Sequence, residues 1–443
     1  MKIAVIVLGP LDRSPRMLNH VTSLAENTKL KVDFIGYQGS SMPKKLEDYG
    51  EQIQLVYLST SLIDALKSLP KIFYVFYALI RIVYQILQLF CILLFGSYDY
   101  ILVQNPPCIP LFFVLFAIKM VKSCQLIIDW HNYGYTILES CGTKAPICSM
   151  ARLYELFFGK YGDHHLTVSH AFARDLAAQL GIPVKKVGVL HDRAVEGKFR
   201  AIDKAERKAF LERVGIAKGT KDETVIMITS TSYTPDEDLS LLVESLKLLS
   251  KKQKENAKLP NFHLVVTGSG PLKKQFLKIF EQFNKEHDRI KIEAKWFEID
   301  DYPKMVASAD LGICMHMSSS GLDLPMKVVD MFSCKVPCFA YQYPAIDELV
   351  KPAHLSTTKG SNEEHLKKSN KPNGSLFRTK EDLLELFLYH FKNGSKDGLE
   401  KLESYRKNLD EFVGQTWDNH WQDVMLKSTK SGVTVICGRQ LKK

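Results

Sequence analysis

The sequence predicts an α/β protein of two Rossmann-like domains facing each other across an interdomain cleft. Short β-branched runs alternate with amphipathic helical stretches along nearly all of the 443 residues, the pattern of parallel sheets covered on both faces. The alternation lapses once, into charged, turn-rich sequence around Arg193 to Thr220, and then resumes. The length suits two full domains. Boundaries are drawn at residues 1–195 for the first domain, 196–222 for a linker, 223–400 for the second domain, 401–428 for a late helix crossing back to the first, and 429–443 for a tail.

Composition narrows the class. A hydrophobic content of 46% and a charged content of 24% describe a globular chain. The net charge of +10 suggests an anionic partner. No arginine-rich tract or nucleic-acid module appears, so a phosphorylated substrate or an acidic membrane surface leads. Nine cysteines are scattered without paired spacing, which favours a reducing compartment. Cys334 and Cys338 lack the further ligands of a metal site, and packing is their expected role.

The chain opens with the apolar run Ile3 to Leu8 and Gly9, read as a buried strand rather than a signal peptide. Asp12-Arg13-Ser14-Pro15-Arg16 makes a polar turn before a helical pattern over Met17 to Ala25. Arg13 and Arg16 fit an anion there, or simply a solvated turn. Strand-like runs follow at Lys31 to Ile35, Ile53 to Tyr57, Tyr100 to Val103, Gln125 to Ile128, His165 to Val168 and Val187 to Leu190.

One insertion departs from this rhythm. Ile72 to Phe95 is long and apolar enough to cross a bilayer. Yet Arg81, Gln85 and Gln88 fall on one helix face. A spanning helix would carry that arginine at a cost of roughly 2.5–3.5 kcal/mol at midplane. Interfacial attachment, with the polar stripe towards water or protein, is therefore preferred to a span, and a span to a core helix. The apolar stretch Ile109 to Val121 is expected nearby.

Asp129-Trp130-His131-Asn132-Tyr133-Gly134-Tyr135 follows a strand. In an open α/β sheet, residues just past the carboxyl ends of the strands line the ligand crevice. Asp129 or His131 could accept a proton, and Trp130, Tyr133 and Tyr135 could stack on a sugar ring.

The second series has strands at Thr224 to Ile228, Phe262 to Thr267, Ile290 to Ala294 and Leu311 to Met315. Asp236-Glu237-Asp238 stands at a helix start, suited to capping or to ligand contact. Gly268 and Gly270 would let a ligand approach the backbone. Ser318 to Pro337 reads as a glycine turn at Gly321, a helix entered through Leu324-Pro325, and a buried strand from near Val336. Such a helix start offers free N–H groups to a phosphate. Lys327 adds a cation, and Asp330, one turn on, suits two ribose hydroxyls. Late in the chain, Trp417 and Trp421 lie four apart on one helix face.

These motifs, in this order, resemble the GT-B glycosyltransferases, and within them the β-mannosyltransferases of the dolichol-linked oligosaccharide pathway. The resemblance rests on Gly9 with Arg13 to Met17, Gln104 to Pro107, Ile128 to Tyr135, Ser230 to Ser232 with Asp236 to Asp238, Gly268 to Leu272 and Ser318 to Phe332. It implies transfer of mannose from GDP-mannose, in β1,4 linkage and with inversion, to GlcNAc2-diphosphodolichol, the first mannosylation of the lipid-linked oligosaccharide for protein N-glycosylation. It implies the cytosolic face of the endoplasmic reticulum membrane and other mannosyltransferases of the pathway as partners. Relatives with an N-terminal anchor carry it upstream of the first strand. Here anchoring is expected from the Ile72 to Phe95 region or from a partner.

On this resemblance His131, then Asp129, then Glu139 are the candidates for general base. Gly268, Gly270, Ser320, Gly321, Leu324, Pro325, Lys327 and Asp330 are assigned to the donor. Gly9, Arg13, Ser14, Arg16, Trp130 and Tyr133 are assigned to the acceptor. No tightly bound cofactor or metal is expected, with room for a loosely associated Mg²⁺. Related enzymes often carry a glutamate where Asp330 stands, and many place an Arg and a Lys where this chain has Thr231, Ser232 and the acidic cluster. The alternatives are a GT-B transferase using another sugar nucleotide on a polyprenyl-diphosphate acceptor, and a non-catalytic membrane scaffold that keeps the fold.

Overall fold

The computed structural model describes residues 1–39, 44–59, 74–195, 197–216, 224–353 and 369–426. The segment Lys351 to Lys371, rich in lysine and expected to be a solvated surface loop, lies for the most part (354–368) outside the described residues, as does the expected tail at 429–443. The chain divides into two compact units, Met1–His191 with Trp417–Lys443, and Asp192–Thr416.

Among the described residues the first unit holds a seven-stranded parallel sheet. Its strands are β1 (Lys2–Pro10), β2 (Lys31–Tyr37), β3 (Ile53–Tyr57), β4 (Tyr100–Asn105), β5 (Gln125–Trp130), β6 (His164–Thr167) and β7 (Val187–Val189), in the order β3-β2-β1-β4-β5-β6-β7. The strands are near-continuous apolar runs because both faces are covered. The order reverses between β1 and β4, and a doubly wound sheet opens its crevice at that switch point.

The helices Tyr74–Phe95, Leu111–Val121 and Ala145–Gly159 pack side by side on one face. The opposite face carries Pro15–Asn27, started by Pro15 at its first position. Trp417–Met425 packs against that helix and buries Trp421 and Met425 completely. Their burial contributes on the order of 2–3 kcal/mol each.

The second unit holds six parallel strands: β8 (Val225–Thr231), β9 (Phe262–Gly268), β10 (Ile290–Ala294), β11 (Leu311–Cys314), β12 (Cys338–Tyr341) and β13 (Gly374–Phe377). Their order is β10-β9-β8-β11-β12-β13, so the switch point falls between β8 and β11. β13, four residues long, was not anticipated.

Two boundaries differ from expectation. Residues 196–222 are not simply a linker, because Lys204–Arg213 is a helix capped by Asp203 and anchored by buried Phe210 and Leu211. Arg207 of this helix forks onto both oxygens of Asp310 at 2.9 and 3.0 Å. The helix Ser395–Asn408 stays with the second unit, whose core takes Leu402 and Tyr405. The return to the first unit comes only at Trp417.

The apolar insertion forms one helix, Tyr74–Phe95. Leu89 and Leu93 are buried, while Phe76, Leu79, Val83 and Leu87 on its outer face are each more than half exposed. Gln85 donates to the Tyr37 hydroxyl at 2.7 Å, so the polar stripe meets protein.

Candidate functional sites

In the first unit the ends of β1, β4 and β5 converge on Asp129. Arg16, on the first turn of Pro15–Asn27, donates from Nε and from its second terminal nitrogen to the two Asp129 oxygens at 2.7 and 2.8 Å. Its other terminal nitrogen donates to the Leu190 carbonyl at 2.8 Å. The Trp417 ring lies 5.3 Å from the guanidinium carbon. His20 Nε2 and His131 Nε2 approach the same Asp129 oxygen at 3.1 and 3.0 Å.

Asp129 is fully buried. Burial alone would push its pKa up, but the adjacent Arg16 and His131 hold the carboxyl well below the usual carboxylate range. An ionised carboxylate only accepts. Both imidazole nitrogens facing it therefore carry protons. With its proton on Nε2, the neutral form of His131 has its lone pair on Nδ1, and the ring keeps about a quarter of its surface open to solvent. An imidazole held in this way by a carboxylate can accept a proton at Nδ1.

Asp129 itself offers no surface to a substrate, which recasts it from proton acceptor to the group that orients His131. Arg16 is likewise spoken for by Asp129 and is not a free anion site at the turn. Arg13 and Ser14 lie on the open side of that turn, with Gly9 at the end of β1. Glu139 is exposed near the end of Gly134–Ser140.

Trp130 and Tyr133, two of the three aromatic candidates, are turned into the protein. Trp130 is fully buried, donates to His165 Nδ1 at 3.1 Å and packs edge-on to Phe112. Tyr133 is 1% exposed and its hydroxyl donates to Asp175 at 2.7 Å. Alternation along β5 sends Trp130 into the sheet's helical layer.

Glu155, which sequence reading missed, holds the loop in place. This buried carboxylate accepts from the Asn105 amide at 2.6 Å and from the N–H groups of Gly134 and Tyr135 at 2.9 and 3.2 Å. Burial still leaves its pKa raised. The available signal was a single acid in the apolar helix Ala145–Gly159.

In the second unit the groups gather at the switch point between β8 and β11. Pro325 is the residue preceding the helix Met326–Ser333, with extended backbone, and its carbonyl accepts from Val328 N–H at 3.0 Å. Before it, Gly321 has φ +74° and its N–H donates to the Ser318 hydroxyl at 2.9 Å. Only a residue without Cβ takes that conformation cheaply. Ser320 accepts from Leu322 N–H at 3.2 Å, and Leu324 is buried. His316 faces Asp323 at 3.2 Å, and the Tyr343 hydroxyl donates to the Asp323 carbonyl at 3.0 Å.

Lys327 does not stand alone. Its ammonium pairs with Glu237, a buried carboxylate that also accepts from the Thr231 hydroxyl at 2.7 Å and the Ser232 N–H at 2.6 Å. Burial lowers the Lys327 pKa to about 8. Of the acidic cluster, only Asp238 caps the helix Leu239–Glu255, accepting from Ser240 N–H at 2.9 Å. Glu237 turns inward instead.

Asp330 lies near Tyr302, whose hydroxyl is 3.0 Å from the Ser230 hydroxyl. Burial raises its pKa to about 7, against the pull of nearby Lys198 and Tyr302. Gly268 and Gly270 are required by close packing of the backbone. A Cβ would meet the carbonyl of Thr231 at 1.8 Å from Gly268 and that of Ser232 at 1.6 Å from Gly270. The backbone approaching these glycines is the protein's own loop after β8.

Asp236, Glu237 and His316 offer ligand atoms within 4.8 Å of one another. A cation there would compete with Lys327 for Glu237, so the donor set suits a loosely held ion better than a resident one.

A family model described as "Glycosyl transferases group 1" matches residues 213–371. The chitobiosyldiphosphodolichol beta-mannosyltransferase of Kluyveromyces lactis is 36% identical over 79% of this chain and 77% of its own length. The human protein of that name is 33% identical over 96% of this chain and 91% of its own. Among solved structures, Anabaena HepE in complex with UDP and glucose superposes with a TM-score of 0.60 at 13% identity, over 94% of this chain and 96% of its own. WaaG, a glycosyltransferase of lipopolysaccharide biosynthesis, gives 0.59 at 12%, over 96% and 99%. The folds agree, and the level of identity and coverage decides the family: this chain is a GT-B glycosyltransferase belonging to the chitobiosyldiphosphodolichol beta-mannosyltransferases.

Proposed function

We propose that this enzyme transfers mannose from GDP-mannose to GlcNAc2-diphosphodolichol in β1,4 linkage with inversion, the first mannosylation of the lipid-linked oligosaccharide used in N-glycosylation. The names of the relatives support the acceptor and the sugar. The observation that carries the chemistry is the His131–Asp129 pair, with a lone pair on His131 Nδ1.

In one displacement, the 4-hydroxyl oxygen of the terminal GlcNAc forms a bond to the anomeric carbon of mannose. The bond from that carbon to the β-phosphate oxygen breaks, and GDP leaves with the electron pair. The hydroxyl proton moves to His131 Nδ1, and Asp129 stabilises the resulting imidazolium. Charge builds on the departing diphosphate, where Lys327 and the first N–H groups of Met326–Ser333 oppose it. Asp330 accepts from the ribose hydroxyls. Leaving-group stabilisation through these groups does not require a resident metal, and Mg²⁺ acts at most as a loosely bound helper near Asp236 and His316.

The enzyme works at the cytosolic face of the endoplasmic reticulum membrane, where a polyprenyl acceptor is held. Support comes from the outward apolar rows on three neighbouring helices: Phe76, Leu79, Val83 and Leu87; Phe113 and Met120; Met150, Leu153 and Phe157. Contiguous exposed apolar surface of this kind marks a membrane or protein contact. A donor panel tests the reading. GDP-mannose should support transfer to a chitobiosyl-diphosphate lipid at least a hundredfold faster than UDP-glucose or UDP-GlcNAc. Equal or faster use of a uridine nucleotide would transfer the assignment to another sugar donor.

A further inference from the structure

Four hydrogen-bonded groups run through the first unit and end at the proposed proton acceptor. Trp421 Nε1 donates to His20 Nδ1 at 2.9 Å. His20 Nε2 lies 3.1 Å from Asp129, and the same Asp129 oxygen lies 3.0 Å from His131 Nε2. An indole N–H can only donate. His20 Nδ1 must therefore be the acceptor, and the neutral ring carries its proton on Nε2, towards Asp129.

Trp421, His20 and Asp129 are all 0% exposed, so water cannot replace any of these partners. The charged and titratable groups facing His20 are Asp129, Arg16 and His131, and the Trp417 ring stands edge-on at 5.3 Å. Burial lowers the His20 pKa, against the pull of Asp129.

We propose that Trp421 sets the tautomer of His20, and that His20 in turn holds Asp129 against His131, so that the C-terminal helix positions the proton acceptor. The inference rests on His131 taking the acceptor proton. Trp421 and His20 touch no substrate; they are positioning residues acting through Asp129. With its proton on Nδ1 instead, His20 would turn a lone pair towards the Asp129 oxygen. The carboxylate would withdraw, and His131 would lose both its orientation and the anion that favours its protonated form.

The test is a double-mutant cycle on the full chain, assayed with GDP-mannose and a chitobiosyl-diphosphate lipid. Trp421→Phe keeps a ring and removes the N–H. It should lower kcat about tenfold, leave the GDP affinity unchanged, and shift the acid limb of the kcat–pH profile down by about half a pH unit. His20→Gln puts an amide donor where Nε2 stands and has no tautomer to choose. It should retain kcat within about threefold, and in that background Trp421→Phe should cost nothing further. An equal loss from Trp421→Phe in both backgrounds would reduce Trp421 to packing and overturn the proposal, as would an unchanged kcat and pH profile in the parent.

Should Trp421→Phe fail to fold, ¹⁵N-histidine spectra of the unaltered chain decide the tautomer. A proton on His20 Nε2 is expected, and one on Nδ1 overturns the assignment. Full transfer by His131→Ala would instead remove the acceptor role of His131 while leaving the His20 tautomer standing, so the two failures are distinguishable.

Discussion

Arg16 grips Asp129 through two parallel hydrogen bonds of 2.7 and 2.8 Å across β4, tying the first helix to the end of β5. The pair is almost completely buried. Removing one partner of a buried ion pair leaves an uncompensated charge and costs about 3–5 kcal/mol. Arg16→Ala should therefore destabilise the first unit by that amount. Denaturant unfolding followed by Trp417 and Trp421 fluorescence measures it, and a loss under about 1 kcal/mol would mean that the pair is not structural.

His131→Ala should abolish detectable transfer, with a loss of about 10²–10⁴ in kcat. The binding of GDP should be unaltered, because His131 belongs to the first unit and the groups proposed to bind the donor to the second. Calorimetric titration with GDP beside a turnover assay separates the two effects.

Lys327→Ala should lower kcat by about 10²–10³, the usual cost of removing one preorganised charge partner from a transition state. With acceptor KM unchanged, the loss would be assigned to leaving-group stabilisation. Unchanged turnover would leave Lys327 as the structural partner of Glu237 alone.

Asp330→Asn should weaken GDP-mannose binding by about 1.5–3 kcal/mol, the worth of hydrogen bonds to a charged acceptor. The pH dependence follows with a definite sign. Asp330 must lose a proton to accept from both ribose hydroxyls, so GDP affinity should rise as pH passes about 7. Lys327 must keep its proton to meet the diphosphate, so affinity should fall as pH passes about 8. Binding measured from pH 6 to 9 should show both limbs. Asp330→Asn should erase the acid limb and Lys327→Ala the alkaline one.

Leu79→Glu combined with Leu153→Glu should release the protein from anionic vesicles without changing its thermal stability, since both side chains are more than half exposed. Flotation with vesicles reads this directly. Retention at unchanged affinity would move membrane attachment elsewhere.

The alternation of strands and helices was legible in the sequence because parallel strands buried on both faces are continuous apolar runs, and both sheets follow from it. Loop chemistry was less legible. Asp129 and His131 were singled out from their place after β5, but their division of labour depends on Arg16 and His20. Those two lie 113 and 109 positions away in the sequence, too far for any local spacing to link them. Trp130 and Tyr133 looked like sugar-stacking residues because aromatic type says nothing about which side of a strand end a ring occupies. Glu237 was hidden among two neighbouring acids that are solvent-facing or capping. Gly268 and Gly270 did mark a close backbone approach, but what approaches is the loop after β8. The helix Lys204–Arg213 was masked by its surface charge, with only Phe210 and Leu211 to betray a buried side.

The most direct test of the central claim is incubation of the purified full chain with GDP-[¹⁴C]mannose and a chitobiosyl-diphosphate lipid, followed by linkage and anomeric analysis of the labelled trisaccharide. A single mannose in β1,4 linkage, released by β-mannosidase and resistant to α-mannosidase, is the predicted product. An α-linked mannose, or no transfer from GDP-mannose while another sugar nucleotide is consumed, would contradict the account.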